Sequence, residues 1–248
     1  MRYFFYLSYK GTHYHGWQIQ PNANSVQAEV NKALAILFKR EIETIGSGRT
    51  DTGVHATEQV FHADLPDSIE EETIMNKMIG LLPKDIVVNQ IKLVSESAHA
   101  RFDAIRRSYE YHIHFRRSPF HVNEYCYLPK KPDFETINKA CQLIFGKHDF
   151  TSFSKVKTSV NNFNCQIEQA GWQVEDEKAI FYVTANRFLR GMVRALVGTL
   201  LDVGYGKINI EEFKKILLAK DRRRAGQSVP PQGLYLCEVR YPETIFIK

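Results

Sequence analysis

The 248-residue chain has little of what would tie it to a metal, a membrane or an oxidising compartment. Its four cysteines, Cys126, Cys141, Cys165 and Cys237, form no C-x-x-C pair, which argues against a zinc site and against a disulfide framework. No uninterrupted apolar run approaches the ~18 residues of a membrane span. The apolar stretch within Arg2 to Tyr9 is too short for the core of a signal peptide. Low-complexity segments and long flexible linkers are lacking as well. The expectation is a soluble protein of the reducing cytoplasm, with no metal and no membrane contact.

What is present suffices for a core: 44% of the residues are hydrophobic and 25% charged. The net charge of +5 points only weakly to a polyanionic partner, but its distribution says more. Residues 1–98 hold nine basic and twelve acidic side chains, whereas residues 99–248 hold 24 and 16. The basic surplus therefore lies in the second part, where clusters such as Arg222-Arg223-Arg224 can meet phosphates or simply stand solvated.

The aromatic-rich run Arg2 to Tyr9 predicts a buried strand. Val26, Val30, Ala33, Leu34, Leu37 and Phe38 recur at helical spacing, and Asn24 with Gln27 resembles a capping box. A short strand is expected near Ile42 to Ile45, another over Glu58 to Ala63, a helix opened by Ser68 with Glu71 and ended by Pro83, and a strand over Ile86 to Val94. That order is βαββαβ, the ferredoxin-like arrangement. The second part repeats it. A strand carries Tyr109, Tyr111, Ile113 and Phe115, and a helix runs from about Phe134 to Phe145 with Asp133 as cap. Strands follow over Gln169 to Val174 and Ala179 to Ala185, then a helix from Phe188 to Gly204, a short helix over Ile210 to Leu218, and a last strand over Leu234 to Tyr241. The fold expected is α+β: two ferredoxin-like (βαββαβ) domains, residues 1–100 and 101–248, with antiparallel sheets. Three polar stretches, Pro119 to Pro132, Ser152 to Asn164 and Lys220 to Gln232, are candidate loops for gripping a substrate.

Chemistry concentrates in the loop Gly46 to Ala56, where three glycines surround Arg49 and Asp51. Glycine permits positive φ and close approach, so such a loop can present one side chain into a cleft. Asp beside Gly is also a common turn signal, so Asp51 alone leaves both readings open. The fragment lacks the Gly-Lys-Ser/Thr ending of a P-loop, and no second carboxylate or histidine pair stands at metal-ligand spacing.

Gly48-Arg49-Thr50-Asp51-Thr52-Gly53-Val54-His55-Ala56 resembles the catalytic motif of the tRNA pseudouridine synthase A family. Further blocks agree in order: Gly16-Trp17-Gln18-Ile19-Gln20, Val26-Gln27-Ala28-Glu29, Arg106-Arg107-Ser108-Tyr109-Glu110-Tyr111, Phe188-Leu189-Arg190-Gly191-Met192-Val193-Arg194 and Pro230-Pro231-Gln232-Gly233-Leu234-Tyr235. The resemblance implies a cofactor-free isomerase that converts uridine to pseudouridine in the anticodon stem-loop of tRNA, at positions 38 to 40, and acts as a homodimer. By the same resemblance Asp51 is the catalytic aspartate, Tyr109 the tyrosine that stacks on the base, and Arg194 the arginine that pairs with the aspartate. Thr52, Gly191 and Ser108 depart from the usual alanine, histidine and threonine; none of them removes a catalytic group.

Those residue types suit the reaction. Extracting a stacked base costs a few kcal/mol, and an aromatic face returns about 1–3 kcal/mol while tolerating rotation of the base. Attack on C6 of uracil, attack on C1′ of ribose and proton abstraction all need one ionised carboxylate. Desolvation opposes its charge and a guanidinium restores it. Arg49 is expected to brace the cleft or a phosphate. Arg187, Arg190 and Arg194 are expected to form one basic stripe on a helix, with Arg187 and Arg190, like Arg222, Arg223 and Arg224, facing RNA. Two rivals remain: a non-catalytic RNA-binding protein on the same scaffold, and a nucleosidase, which normally needs a second carboxylate.

Overall fold

A computed structural model describes residues 1–66, 68–155 and 161–247. In chain order the elements are β1 (Arg2–Tyr9), α1 (Val26–Phe38), β2 (Thr44–Gly46), β3 (His55–Asp64), α2 (Glu71–Leu81), β4 (Ile86–Val94), β5 (Arg106–His114), β6 (Cys126–Tyr127), α3 (Phe134–Cys141), β7 (Gly146–Asp149), β8 (Asn164–Val174), β9 (Lys178–Ala185), α4 (Met192–Gly204), α5 (Ile210–Leu218) and β10 (Leu234–Arg240). The chain divides into two compact units, Met1–Arg106 with Tyr235–Lys248, and Arg107–Leu234.

In the first unit β1 lies between β4 and β3, antiparallel to both, and β2 runs antiparallel to β3. Alternation places Tyr3, Phe5, Leu7 and Tyr9 on one face of β1, all buried. Phe5 stacks on Phe61 of β3 at 4.7 Å, and Phe61 meets Trp17 at 5.8 Å. Each such ring contributes roughly 2–3 kcal/mol by leaving water. The helix α1 covers apolar surface with Val26, Val30, Ala33 and Leu34. Its cap is Ser25, whose Oγ accepts from the Ala28 N–H, rather than Asn24. Gln27 is engaged elsewhere, donating to the Thr44 carbonyl and accepting from the Ile19 N–H. Likewise α2 starts after Glu70 and not at Ser68.

On the other face of β1, Phe4 is buried by Tyr241 and Phe246. The last strand, β10, runs parallel to β3 here, with Tyr235 opposite His55 and Leu236 opposite Ala56. The Val239 N–H also donates to Glu58.

Beside it, residues 98–103 are pinned by Arg2, which donates to the Ala98 carbonyl and forks Asp64, and by His62, whose Nδ1 accepts from the Ala100 N–H. Burial holds the His62 imidazole down at about 4, and the positive charge of Arg2 and the neighbouring His99 act in the same sense, against Asp64 and Asp103. The folded ring binds a proton less readily than the unfolded one. Stability is therefore expected to fall as pH drops from about 6.5 towards 4, by about 3 kcal/mol for His62 alone. Urea titrations at pH 7 and pH 4.5 measure this, and His62→Gln should flatten the difference.

In the second unit the order is β5-β9-β8-β7, all antiparallel, with β6 parallel to the end of β5. Mixed pairing of β10 and β6 replaces the purely antiparallel sheets expected. The strands β6 and β7 are too short to leave a periodic trace. Asp133 caps α3 as expected, accepting from the Glu135 and Thr136 N–H groups. The helix α4 is buried along most of its length, which its nearly unbroken apolar sequence explains. It begins at Met192, because Gly191 sits at φ +71 and breaks the turn before it. Phe188, Arg187 and Arg190 consequently precede the helix. Of the stretch Ser152 to Asn164, residues 156–160 lie outside the described residues.

Candidate active site

The loop joining β2 to β3 is fixed from several sides by its own unit. Tyr9 Oη and Thr50 Oγ1 share a buried hydrogen bond of 2.8 Å. The Gly53 N–H donates to the Tyr14 carbonyl, and the Val54 N–H closes a turn on the Asp51 carbonyl. Gly53 takes φ +76, which favours glycine. Gln59 reaches from β3 to the loop entry, accepting from Ser47 Oγ and donating to the Gly48 carbonyl. His55 accepts the Gly11 N–H on Nδ1 and stacks on Tyr235 at 4.7 Å. It is buried, as His62 is.

A further constraint, on Thr50 and Asp51, comes from Gly16. At φ +88 it lies against the loop so closely that a Cβ there would stand 2.2 Å from the Thr50 carbonyl oxygen and 3.2 Å from the Asp51 carbonyl carbon. Asp51 is thus presented, half-buried, by a loop with little freedom to shift. Arg49 and Thr52 on either side of Thr50-Asp51 are exposed, so the hydroxyl and methyl of Thr52 face outward. Gly48 has open space where a side chain would go, and close approach does not explain it. The parts played by Tyr9, Gly16 and Gln59 were invisible in the sequence. Only the Gly16-Trp17 block carried a signal, without a role.

Arg49 and Asp51 belong to the first unit. Tyr109, Arg187, Arg190, Arg194 and Arg222 to Arg224 belong to the second. On β5, Tyr109, Tyr111 and Ile113 share one face; Tyr111 and Ile113 are fully buried, whereas Tyr109 is half-exposed, with Phe188 set edge-on to its ring at 5.0 Å. The apolar stripe of β5 therefore emerges at Tyr109. Arg194 stands in the first turn of α4, where its charge opposes the helix dipole and no acidic residue accompanies it in that turn. Its Nε donates to the Val229 carbonyl at 2.8 Å.

The expected basic stripe does not form on one helix. Arg187 and Arg190 sit in the segment before α4, Arg187 half-buried and Arg190 exposed, and the Arg190 carbonyl accepts from the Lys155 N–H. Arg223 forks Asp221, and Arg224 is exposed. Arg222 donates to the Ala225 and Gly226 carbonyls and to Ser228 Oγ. Among the described residues no group of three His, Cys, Asp or Glu side chains is placed to hold a metal ion, and no helix is long and apolar enough to cross a membrane.

Comparison with known proteins bears on this arrangement. A family model described as tRNA pseudouridine synthase matches residues 6–103 and 140–242. A tRNA pseudouridine synthase A of Parabacteroides distasonis is 47% identical over 246 residues, covering 99% of this chain and 98% of that protein. The protein of the same name from Bacteroides thetaiotaomicron is 47% identical over 99% of this chain and 92% of its own length, and that from Bacillus subtilis 40% identical over 95% and 97%.

Proposed function

We infer the reaction from the premise that the chain belongs to the tRNA pseudouridine synthase family: it is an isomerase that converts uridine to pseudouridine in tRNA, and its target is the anticodon stem-loop at positions 38 to 40. In the conversion the C1′–N1 bond breaks, the base turns, a C1′–C5 bond forms, the C5 proton leaves and N1 gains one, so atoms balance without a cofactor. The observation that carries the reading is the rigid loop presenting Asp51 within Gly48 to Ala56. A binding protein has no need to fix, through Tyr9, Tyr14, Gly16 and Gln59, the loop that carries one carboxylate.

Asp51 supplies the reacting carboxylate, Tyr109 the face on which the extracted base stacks, and Arg194 the guanidinium that favours the ionised acid. A cation kept at the positive end of α4, against the dipole, supports a role for Arg194 beyond stability. The β4-β1-β3 order with β2 alongside supports a ferredoxin-like first unit. Four free cysteines among the described residues suit the cytoplasm, and a homodimer follows from the family pattern.

The test is to incubate unmodified tRNA transcripts with the protein and map pseudouridine by position. Modification at 38 to 40 is expected. Tight binding without modification would favour the non-catalytic RNA-binding reading, and release of free uracil the nucleosidase. Of the arginines expected at RNA, Arg190, Arg223 and Arg224 are exposed, and Arg223 is paired with Asp221. Arg190→Ala and Arg224→Ala should each flatten the dependence of log Kd on log salt by about one unit.

A further inference from the structure

We infer that Arg222 is a positioning residue for Arg194 and not a phosphate contact. The inference rests on the reading that Arg194 acts in the reaction. Its donors are already engaged inside the loop that follows. One nitrogen of the fork meets the Ala225 carbonyl at 3.3 Å and the Gly226 carbonyl at 3.1 Å, and the other meets Ser228 Oγ at 3.0 Å. These bonds close residues 222–228 into a compact turn.

That turn is seated on α4. The Gly226 N–H donates to Thr199 Oγ1 at 2.9 Å, and Thr199 Oγ1 donates to the Ala195 carbonyl. One residue away, a Cβ on Gly198 would stand 1.9 Å from the Gln227 carbonyl oxygen, so only glycine lets the loop lie this close to the helix. Past Ser228 the chain reaches Val229, which is buried and makes a reciprocal pair with Arg194. The Val229 N–H donates to the Arg194 carbonyl at 3.1 Å, and Arg194 Nε donates to the Val229 carbonyl at 2.8 Å. Tyr111 holds the next carbonyl, that of Pro230, at 2.9 Å.

A guanidinium is planar, so fixing Nε on a carbonyl fixes the direction of its two terminal nitrogens. The Val229 carbonyl is that fixture, and its place depends on the turn that Arg222 closes. Lysine cannot substitute, because one ammonium on a flexible stem does not span two carbonyls and a hydroxyl in a set geometry.

The experiment compares native protein, Arg222→Ala, Arg222→Lys, Arg194→Ala and the double variant Arg194→Ala/Arg222→Ala, measuring kcat and KM on unmodified tRNA and the salt dependence of tRNA binding. Arg222→Ala is expected to lower kcat by roughly 10- to 100-fold, the scale of a misplacement near 1 Å. KM and the salt slope should stay native, and Arg222→Lys should not rescue. In the Arg194→Ala background, Arg222→Ala should add nothing, because the group it positions is gone.

A native kcat in Arg222→Ala with raised KM and a salt slope lower by about one would make Arg222 a phosphate contact and overturn the inference. Losses that multiply in the double variant would make its role structural and overturn it too. Arg194→Ala with full kcat would instead remove the reading on which the inference rests. Should Arg222→Ala fail to fold, Ser228→Ala, which deletes a single acceptor of the fork, is expected to show a smaller fall in kcat at native KM; an unchanged kcat would count against the inference.

Discussion

Asp51→Asn is expected to bind unmodified tRNA as the native protein does and to form no pseudouridine. Asparagine keeps the shape of the side chain and removes its charge. The backbone bonds that hold the loop, from the Gly53 N–H to Tyr14 and from the Val54 N–H to the Asp51 carbonyl, do not involve the carboxylate. Whichever atom of the uridine the acid engages first, an amide can neither attack nor take a proton at neutral pH, so the loss should be at least about 10⁴-fold in kcat. Equal melting temperatures and equal Kd for the two proteins would assign the loss to chemistry. Activity within tenfold of native would mean that another group carries the reaction.

Gly16→Ala should damage the same site from outside it. Its Cβ would meet the Thr50 carbonyl oxygen at 2.2 Å, and its φ of +88 is one an L-residue resists. The strained backbone costs about 1–2 kcal/mol, and the collision must push Thr50, and with it Asp51, out of place. A fall of roughly 10²-fold in kcat is expected, with a lower Tm. Gly206→Ala is the control. It carries a similar backbone penalty at φ +69 but has open space around it, so it should lower Tm with kcat unchanged. If both variants lost activity alike, the loss would come from instability and not from the position of the loop.

Much of this was legible where local pattern decides. Arg2 to Tyr9, Ile86 to Val94 and Ile210 to Leu218 form the elements expected of them, with the same ends. The reading failed where a partner far along the chain decides. Gln27 was lost as a cap residue to Thr44, and β10 took a parallel partner in β3 where antiparallel pairing was expected. The early break at Gly191 took Arg187 and Arg190 off the helix, because a glycine before a long apolar run reads equally well as part of it.

In the candidate site, the motif singles out the loop that carries Asp51, whereas what holds that loop was not legible. It is held by Tyr9, Tyr14 and Gly16, on segments remote in sequence that the fold brings to Thr50 and Gly53.

The most direct test of the central claim uses tRNA carrying tritium at C5 of uridine. Forming the C1′–C5 bond expels that hydrogen, so the native protein should release tritium into water in step with pseudouridine, with the base retained in the RNA, and Asp51→Asn should release none. No tritium release by the native protein across a pool of unmodified tRNAs would contradict it.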